Sequence, residues 1–312
     1  MGPFQSLVLL SFLSTAAASE EWCYASQLCH NPGCRDPRNW FVVNKECGGK
    51  TQSPINIVTN KVETDWNLTP FKFENYQNVQ ENKWILKNTG HSVQVDLDES
   101  AKISSGGLET TYRAVQFHFH WGSNHSHETA PGSEHTIDGE RYAMELHIVH
   151  IKDQHKDIGE ALSNNGVAVL GFFIQTGDEN KDYNNLISKF QDVPYHGNKT
   201  EMASLPLSSF IPKEEDLSEY YRYNGSLTTP GCSEGVIWTL FKEPIILSST
   251  QVQEFWMKLY FNKDLPMEDN FRPVQSLGAR TVYKSDSNAL LPRAKTLLLL
   301  PVASYLLLSF TQ

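Results

Sequence analysis

Two short stretches of this chain carry side chains that could hold a metal ion and use it. Gln116-Phe117-His118-Phe119-His120-Trp121 alternates polar and aromatic residues. As a strand it sets Gln116, His118 and His120 on one face and Phe117, Phe119 and Trp121 on the other. Aromatic rings belong against a core, and three polar groups in a row on the opposite face need a partner of their own. Two imidazoles at i and i+2 on a strand can converge on one ion. Met144-Glu145-Leu146-His147-Ile148 repeats the pattern, with Glu145 and His147 on one face. A third imidazole beside a carboxylate is what a three-histidine zinc centre with ordered outer partners uses, and Gln116 is placed to set the tautomer of a neighbouring ring. A strand histidine alone is more often an ordinary polar residue, so this chemistry requires the two strands to adjoin. His30, His125, His127, His155 and His196 sit among Asn, Asp, Ser and Lys and read as solvated loop histidines.

The elements that must position these groups are mostly strands. Residues 84–87, a turn at Asn88-Thr89-Gly90 and residues 91–97, with Val93, Val95 and Leu97 alternating, read as a hairpin. Residues 115–121, 144–151, 167–175 and 236–241 are further strands, rich in β-branched and aromatic residues. Helical spacing marks Tyr183, Leu186, Ile187 and Phe190. It also marks Val252, Phe255, Trp256 and Leu259, where Ser248 and Gln251 form a capping box. The expected fold is α+β, mainly β, with one large sheet and peripheral helices. No repeat or long linker divides the chain, so a single domain is expected.

Composition narrows the function classes. Seven Trp, twelve Tyr and sixteen Phe in 312 residues supply ample core area and exclude a disordered chain. A mean hydropathy of −0.41 and the lack of a long internal apolar run exclude a multi-pass membrane protein. With 36 acidic residues against 26 basic ones, nucleic acid is not an expected partner.

The two ends read as processing segments. Residues 1–19 hold an apolar stretch followed by Ala17-Ala18-Ser19, as in a secretory signal peptide. Residues 296–310 are apolar, contain Pro301 and are followed only by Thr311 and Gln312. Small residues at 285–289 and a spacer with Arg293 and Lys295 precede that tail, which together is the pattern of a glycosylphosphatidylinositol (GPI) signal. A single C-terminal transmembrane helix is the alternative. The expected mature domain is 20–285, with 286–312 removed and the lipid on Ser285; Ser287 is the second choice. Secretion agrees with the sequons at Asn67, Asn124, Asn198 and Asn224 and with five cysteines. Cys23, Cys29, Cys34 and Cys47 cluster near the start of the mature chain. Cys232 must reach back to that group, and one thiol is left over.

Over nearly all of the mature length the chain resembles the α-class carbonic anhydrases. The segments that carry the resemblance are Gln52-Ser53-Pro54-Ile55-Asn56-Ile57, Gly90-His91-Ser92, Gln116 to Gly122 and Gly132-Ser133-Glu134-His135-Thr136. Further on they are Glu145 to His150, Gly225-Ser226-Leu227-Thr228-Thr229-Pro230 and Asp269-Asn270-Phe271-Arg272-Pro273. The Trp22-Cys23-Tyr24 start, Cys232 after Thr229-Pro230 and the lipidation signal narrow the likeness to membrane-anchored members. It implies a twisted, mostly antiparallel ten-stranded sheet with a conical cleft. It implies Zn2+ on His118, His120 and His147, with Gln116, Glu145 and Asn270 around them, and CO2, bicarbonate and water as substrates. Cys47–Cys232 and Cys23–Cys34 are the expected bridges, with Cys29–Cys34 as an alternative to the second.

The resemblance also implies roles. Thr228 would accept a hydrogen bond from the zinc-held nucleophile and pass its own proton to Glu134. The backbone of Thr228 would sit beside a substrate oxygen, with Thr229 next to it. Val149, Val169, Leu227, Val236 and Trp238 match the apolar pocket for CO2. His91 aligns with the proton-shuttle histidine, for which a near-neutral pKa is suited. Tyr24, Thr89 and Gln94 match its water path, although Thr89 and Gln94 replace the commoner Asn. The implied location is the outer face of the cell membrane, with bicarbonate transporters as candidate partners. The rival reading is a related surface-binding domain without catalysis; such domains lose zinc-binding histidines, and this chain keeps all three.

Overall fold

The alternating segments do form strands, and register puts the histidines together. The computed structural model describes residues 21–79, 81–125 and 128–286. The expected signal peptide, the tail from Ser287 onward and His127 lie outside the described residues. In chain order, the strands of the main sheet are β1 (Glu63–Thr64), β2 (Phe71–Glu74), β3 (Trp84–Asn88) and β4 (Val93–Asp96). Then come β5 (Lys102–Ser105), β6 (Tyr112–Trp121), β7 (Met144–Lys152) and β8 (Val167–Thr176). The last four are β9 (Lys199–Met202), β10 (Tyr220–Ser226), β11 (Glu234–Leu247) and β12 (Tyr283–Lys284).

The sheet has twelve strands: ten lie edge to edge as β9-β3-β4-β6-β7-β8-β11-β10-β12-β1, and β2 joins through β5 to β6. Pairing is antiparallel except between β8 and β11 and between β12 and β1. The central strands β6, β7, β8 and β11 are long because both of their faces are covered.

One face carries Phe117, Phe119, Trp121, Leu146, Ile148 and Phe172 into the larger core cluster, with Tyr183, Phe190, Phe210 and Phe255. Phe255 comes from the helix Ser249–Lys258, which starts at the expected box: Ser248 caps Gln251 N–H, and the Gln251 side chain returns to Ser248 N–H. Its ring meets Phe119 at 5.1 Å and Trp121 at 5.3 Å. Burying each such ring contributes about 1.5–3 kcal/mol, so the helix pins the back of the histidine strand. The opposite face supports a second cluster that includes Val149, Val169, Phe173, Tyr223, Val236, Trp238 and Leu240.

Three expectations are corrected. The segment with Tyr183, Leu186, Ile187 and Phe190 buries all four side chains but is no continuous helix; two 3-10 turns flank the short helix Asn184–Ile187. The hairpin pairs Asn88 with Val93, so its loop is Thr89-Gly90-His91-Ser92 and starts one residue later than expected. The reason is local: Thr89 N–H and hydroxyl both reach the Ser92 carbonyl, and Asn88 Oδ1 caps Gly90 N–H. Third, His155 is not a solvated loop residue. It is buried, 3.5 Å from a Glu160 carboxylate oxygen, and packs where a Cβ on Gly166 would clash with its ring.

Candidate metal centre

Antiparallel pairing of β6 with β7 places His118 directly opposite His147, with Glu145 opposite His120 and Val149 opposite Gln116. The three rings stand 5.1, 5.2 and 4.7 Å apart by centroid. One nitrogen from each lies within 4.8 Å of the others. His120 and His147 are buried, and His118 is half-buried.

Acceptors outside the cluster set each ring. His118 Nδ1 donates to Gln116 Oε1 at 2.8 Å, and His120 Nδ1 to the Asn270 carbonyl at 2.7 Å. His147 Nε2 donates to Glu145 Oε1 at 2.7 Å. That leaves Nε2 of His118, Nε2 of His120 and Nδ1 of His147 for an ion. His120 Nε2 is buried without a hydrogen-bond partner, a costly state unless something ligates it. Burial holds the His118 imidazole well below its usual pKa, with the neighbouring His120 and His147 adding to the effect; burial lowers His120 as well. Neutral imidazole is the form that binds a metal. The donor set, tautomers and unpartnered nitrogen therefore fit zinc.

Glu145 continues into a buried chain that sequence reasoning did not assign. His135 donates its backbone N–H to Glu145 Oε2 at 2.8 Å and its Nδ1–H to Oε1 at 2.7 Å. Its Nε2 meets the Tyr223 hydroxyl at 2.7 Å, which in turn meets Ser53 Oγ at 2.7 Å. Burial alone would raise Glu145, yet His135 and His147, by charge and hydrogen bond, hold its carboxyl well below the usual range. Trp238 packs its ring 4.8 Å from both His135 and His147. Gly171, opposite His147 on β8, leaves room that a Cβ would take from Leu240. The signal for His135 was present only as its place in the Gly132–Thr136 motif.

Glu134 is fully buried. Its Oε1 accepts the Arg272 backbone N–H at 2.8 Å; its Oε2 has no hydrogen-bond partner and lies 3.5 Å from His120 Nε2. Thr228 is 5% exposed, and its hydroxyl does not reach that oxygen in this structure. The loop carrying Thr228 and Thr229 is tied down by Cys47–Cys232, and Cys23–Cys34 forms the second bridge, with Cys29 free and exposed. Arg272 ties these parts together. Its guanidinium donates to Gln52 Oε1 and to the Ser53 and Cys47 carbonyls, and burial lowers its pKa to about 10.

Val149, Val169 and Trp238 are direct neighbours across β7, β8 and β11, and Val236 and Leu227 belong to the same cluster. His91 differs from expectation in its surroundings. Its ring stacks on Trp22, and burial, with a smaller contribution from His196, lowers its pKa to about 4. Tyr24 is buried with an unpartnered hydroxyl; the Thr89 hydroxyl is used inside its own loop, and Gln94 donates to Asp96 at 2.7 Å.

Away from the imidazoles lies a cavity of about 840 Å3, bordered by Asn67, Arg222, Asn224 and Arg280. Asn67, Asn124 and Asn224 are exposed and Asn198 is half-buried. Ser285 is buried at the end of the sheet, its hydroxyl accepting Tyr220 N–H and donating to the Ser218 carbonyl. No helix among the described residues is long and apolar enough to cross a membrane.

A mostly antiparallel sheet whose central strands gather three imidazoles, each with an outer acceptor, defines a three-histidine metal-site fold. Comparison with known proteins makes the class specific: residues 35–286 match the model of the eukaryotic-type carbonic anhydrases, and the chain belongs to that family. It is 43% identical over 302 residues to carbonic anhydrase 4 of Oryctolagus cuniculus, covering 95% of each chain. Carbonic anhydrase 4 of Rattus norvegicus is 40% identical with 98% of each chain covered. Carbonic anhydrase 12 of Homo sapiens is 38% identical over 80% of this chain and 70% of its own.

Proposed function

We propose that this carbonic anhydrase is zinc-dependent, works at the outer cell surface on a GPI anchor, and divides the reaction among the residues described above. The observation that carries the reading is the set of three convergent ring nitrogens whose opposite nitrogens are all engaged. Zinc held by His118, His120 and His147 supplies a Lewis acid that brings a bound water's pKa from about 15.7 to about 7.

The chain's own residues then set direction. Because the rings bind neutral, they add no negative charge to offset the ion. Gln116, Asn270 and Glu145 keep them from rotating. Arg272 N–H fixes Glu134 with Oε1 engaged, leaving Oε2 as the acceptor for the Thr228 hydroxyl proton. With its proton committed there, the Thr228 oxygen can only accept, and so orients the attacking group by a lone pair. Val149, Val169, Leu227, Val236 and Trp238 form the apolar wall against which CO2 waits, and Thr229 borders it. His91 carries the released proton outward. Secretion, glycans on the exposed sequons and lipid on Ser285 place these events outside the cell, where bicarbonate transporters are candidate partners.

Paired variants test the reading. His118→Ala should lose both zinc and CO2 hydration. Thr228→Ala should keep zinc while slowing hydration by about 10²-fold, the usual scale for one lost orienting hydrogen bond. A Thr228→Ala enzyme as fast as the parent would remove Thr228 and Glu134 from the mechanism.

A further inference from the structure

A buried arginine of β10 carries a charge that no carboxylate meets as an ion pair among the described residues. Arg222 is 8% exposed and stands opposite Thr239 of β11. Its Nε and Nη2 donate to Thr239 Oγ1 at 3.1 and 2.9 Å, and Nη2 also reaches the Gly106 carbonyl at 2.8 Å. Nη1, with its two N–H groups, makes no hydrogen bond among the described residues. The guanidinium lies over the rings of Tyr220 at 5.7 Å and Phe71 at 5.8 Å. Burial lowers its pKa, with Tyr220, Tyr112 and Asp65 opposing. A buried cation with idle donors is costly unless something occupies them.

What lies beside Nη1 is the cavity of about 840 Å3. Gly107 lines it with φ at +72°, and a Cβ there would stand 3.4 Å from Nη1 and 2.8 Å from Leu68 Cδ2. The missing side chain keeps the nitrogen open to the cavity. Lys152 and Tyr112, directly opposite each other on β7 and β6, also line it. Neither the Lys152 ammonium nor the Tyr112 hydroxyl has a hydrogen-bond partner among the described residues. Arg280 adds a third positive charge, although most of its donors are spent on the Gln52, Asn224, Ser276 and Leu277 carbonyls. The acids on the wall are Asp65 and Glu109, so one positive charge is left over. Asp65 Oδ1 accepts the Asn67 backbone and side-chain N–H groups at 2.9 and 3.1 Å, and Oδ2 is idle.

We propose that this cavity, separate from the three-histidine centre, binds a small protonated oxoanion of the class of bicarbonate and hydrogenphosphate. Arg222 Nη1, Lys152 and Tyr112 donate to its oxygens, and Asp65 Oδ2 accepts its O–H. The chemistry selects that class. The idle donors and the surplus charge call for an anion, while the idle carboxylate oxygen beside them calls for a donor. Sulfate and chloride carry no O–H and would turn lone pairs toward Asp65. A hydrogen bond to a charged group is also worth about twice a neutral one, so both ends of the ligand count.

The test titrates zinc-loaded enzyme with bicarbonate, inorganic phosphate, sulfate and chloride at pH 8 and fixed ionic strength, following backbone amides by NMR. Gly107 and Gly235 border the cavity, and Thr228 reports the metal centre. Bicarbonate and phosphate should move the two glycine amides saturably with a Kd of about 1 mM. Sulfate should bind at least about tenfold more weakly, the scale of one lost hydrogen bond to a charge. The tighter of bicarbonate and phosphate tells whether the ligand is the enzyme's own product or a free phosphate. Arg222→Met should weaken binding at least about tenfold, and Lys152→Ala, a half-buried site that keeps the fold, about threefold. Asp65→Asn should erase the preference over sulfate. Glycine shifts no larger than those with chloride, or shifts confined to Thr228, overturn the site. So does a Kd unchanged in Lys152→Ala, and sulfate binding as tightly as bicarbonate and phosphate overturns the role of Asp65.

Discussion

Removing His135 is the sharpest test of the structural argument, because His135 hydrogen-bonds Glu145 and Tyr223 and meets His147 only ring edge to ring face, 6.3 Å away by centroid. In His135→Ala the backbone N–H stays on Glu145 Oε2, but the Nδ1 bond to Oε1 and the Nε2 contact with Tyr223 go. A hydrogen bond to a buried carboxylate contributes about 1.5–3 kcal/mol. Tyr223 keeps Ser53, so that end loses little. The ring is fully buried against Trp238, and the space it leaves adds about 2 kcal/mol. The expected loss is therefore about 3.5–5 kcal/mol, a large share of the roughly 5–15 kcal/mol that holds a domain together. Glu145 would also orient His147 less firmly, weakening zinc binding about tenfold. Urea unfolding of the zinc-loaded protein at pH 7 and zinc competition against a chelator read the two effects. His135→Gln, which can keep one bond to Glu145, should lose markedly less. A His135→Ala protein within about 1 kcal/mol of the parent, with unchanged zinc affinity, would refute the idea that this chain supports the centre.

Three further outcomes are expected. Replacing Cys47 and Cys232 with Ser opens a bridge spanning 185 residues; the chain-entropy model puts the cost at about 5 kcal/mol, and a urea midpoint near the parent's would contradict it. His150 is buried between Tyr76 and the Ile148 carbonyl, and burial lowers its pKa to about 3. Below about pH 6.5 the unfolded chain therefore binds a proton that the folded one refuses. Stability should fall by about 1.4 kcal/mol per pH unit until about pH 3, and His150→Gln should lose that part of the slope in equilibrium unfolding against pH. For the anchor, phospholipase specific for phosphatidylinositol should release activity from cells, and Ser285→Leu should reduce surface display; activity retained after verified digestion would favour a transmembrane tail.

Local periodicity made part of this protein legible in its residues alone. The period of two in Gln116–Trp121 and Glu145–His147 sets which side chains share a face whatever the rest of the chain does, and both strands obey it. The Ser248 and Gln251 box begins its helix for the same reason: its partners are three residues apart. Four residues with helical spacing from Tyr183 to Phe190 did not make one helix. There the requirement to bury all four rings and aliphatic chains was met by short turns, and spacing cannot distinguish the two.

What joins the site is remote in sequence. His118 meets His147 only through strand register, Asn270 reaches His120 across 150 residues, and Arg272 reaches Glu134 across 138. No spacing rule foresees the buried His135 chain or the Trp22 stack, since each depends on segments brought together by the sheet's packing. Alternation along a strand is a property of the backbone and travels with the residues, whereas the solvation of a histidine, and hence its pKa and its work, is decided by whatever the fold lays against it.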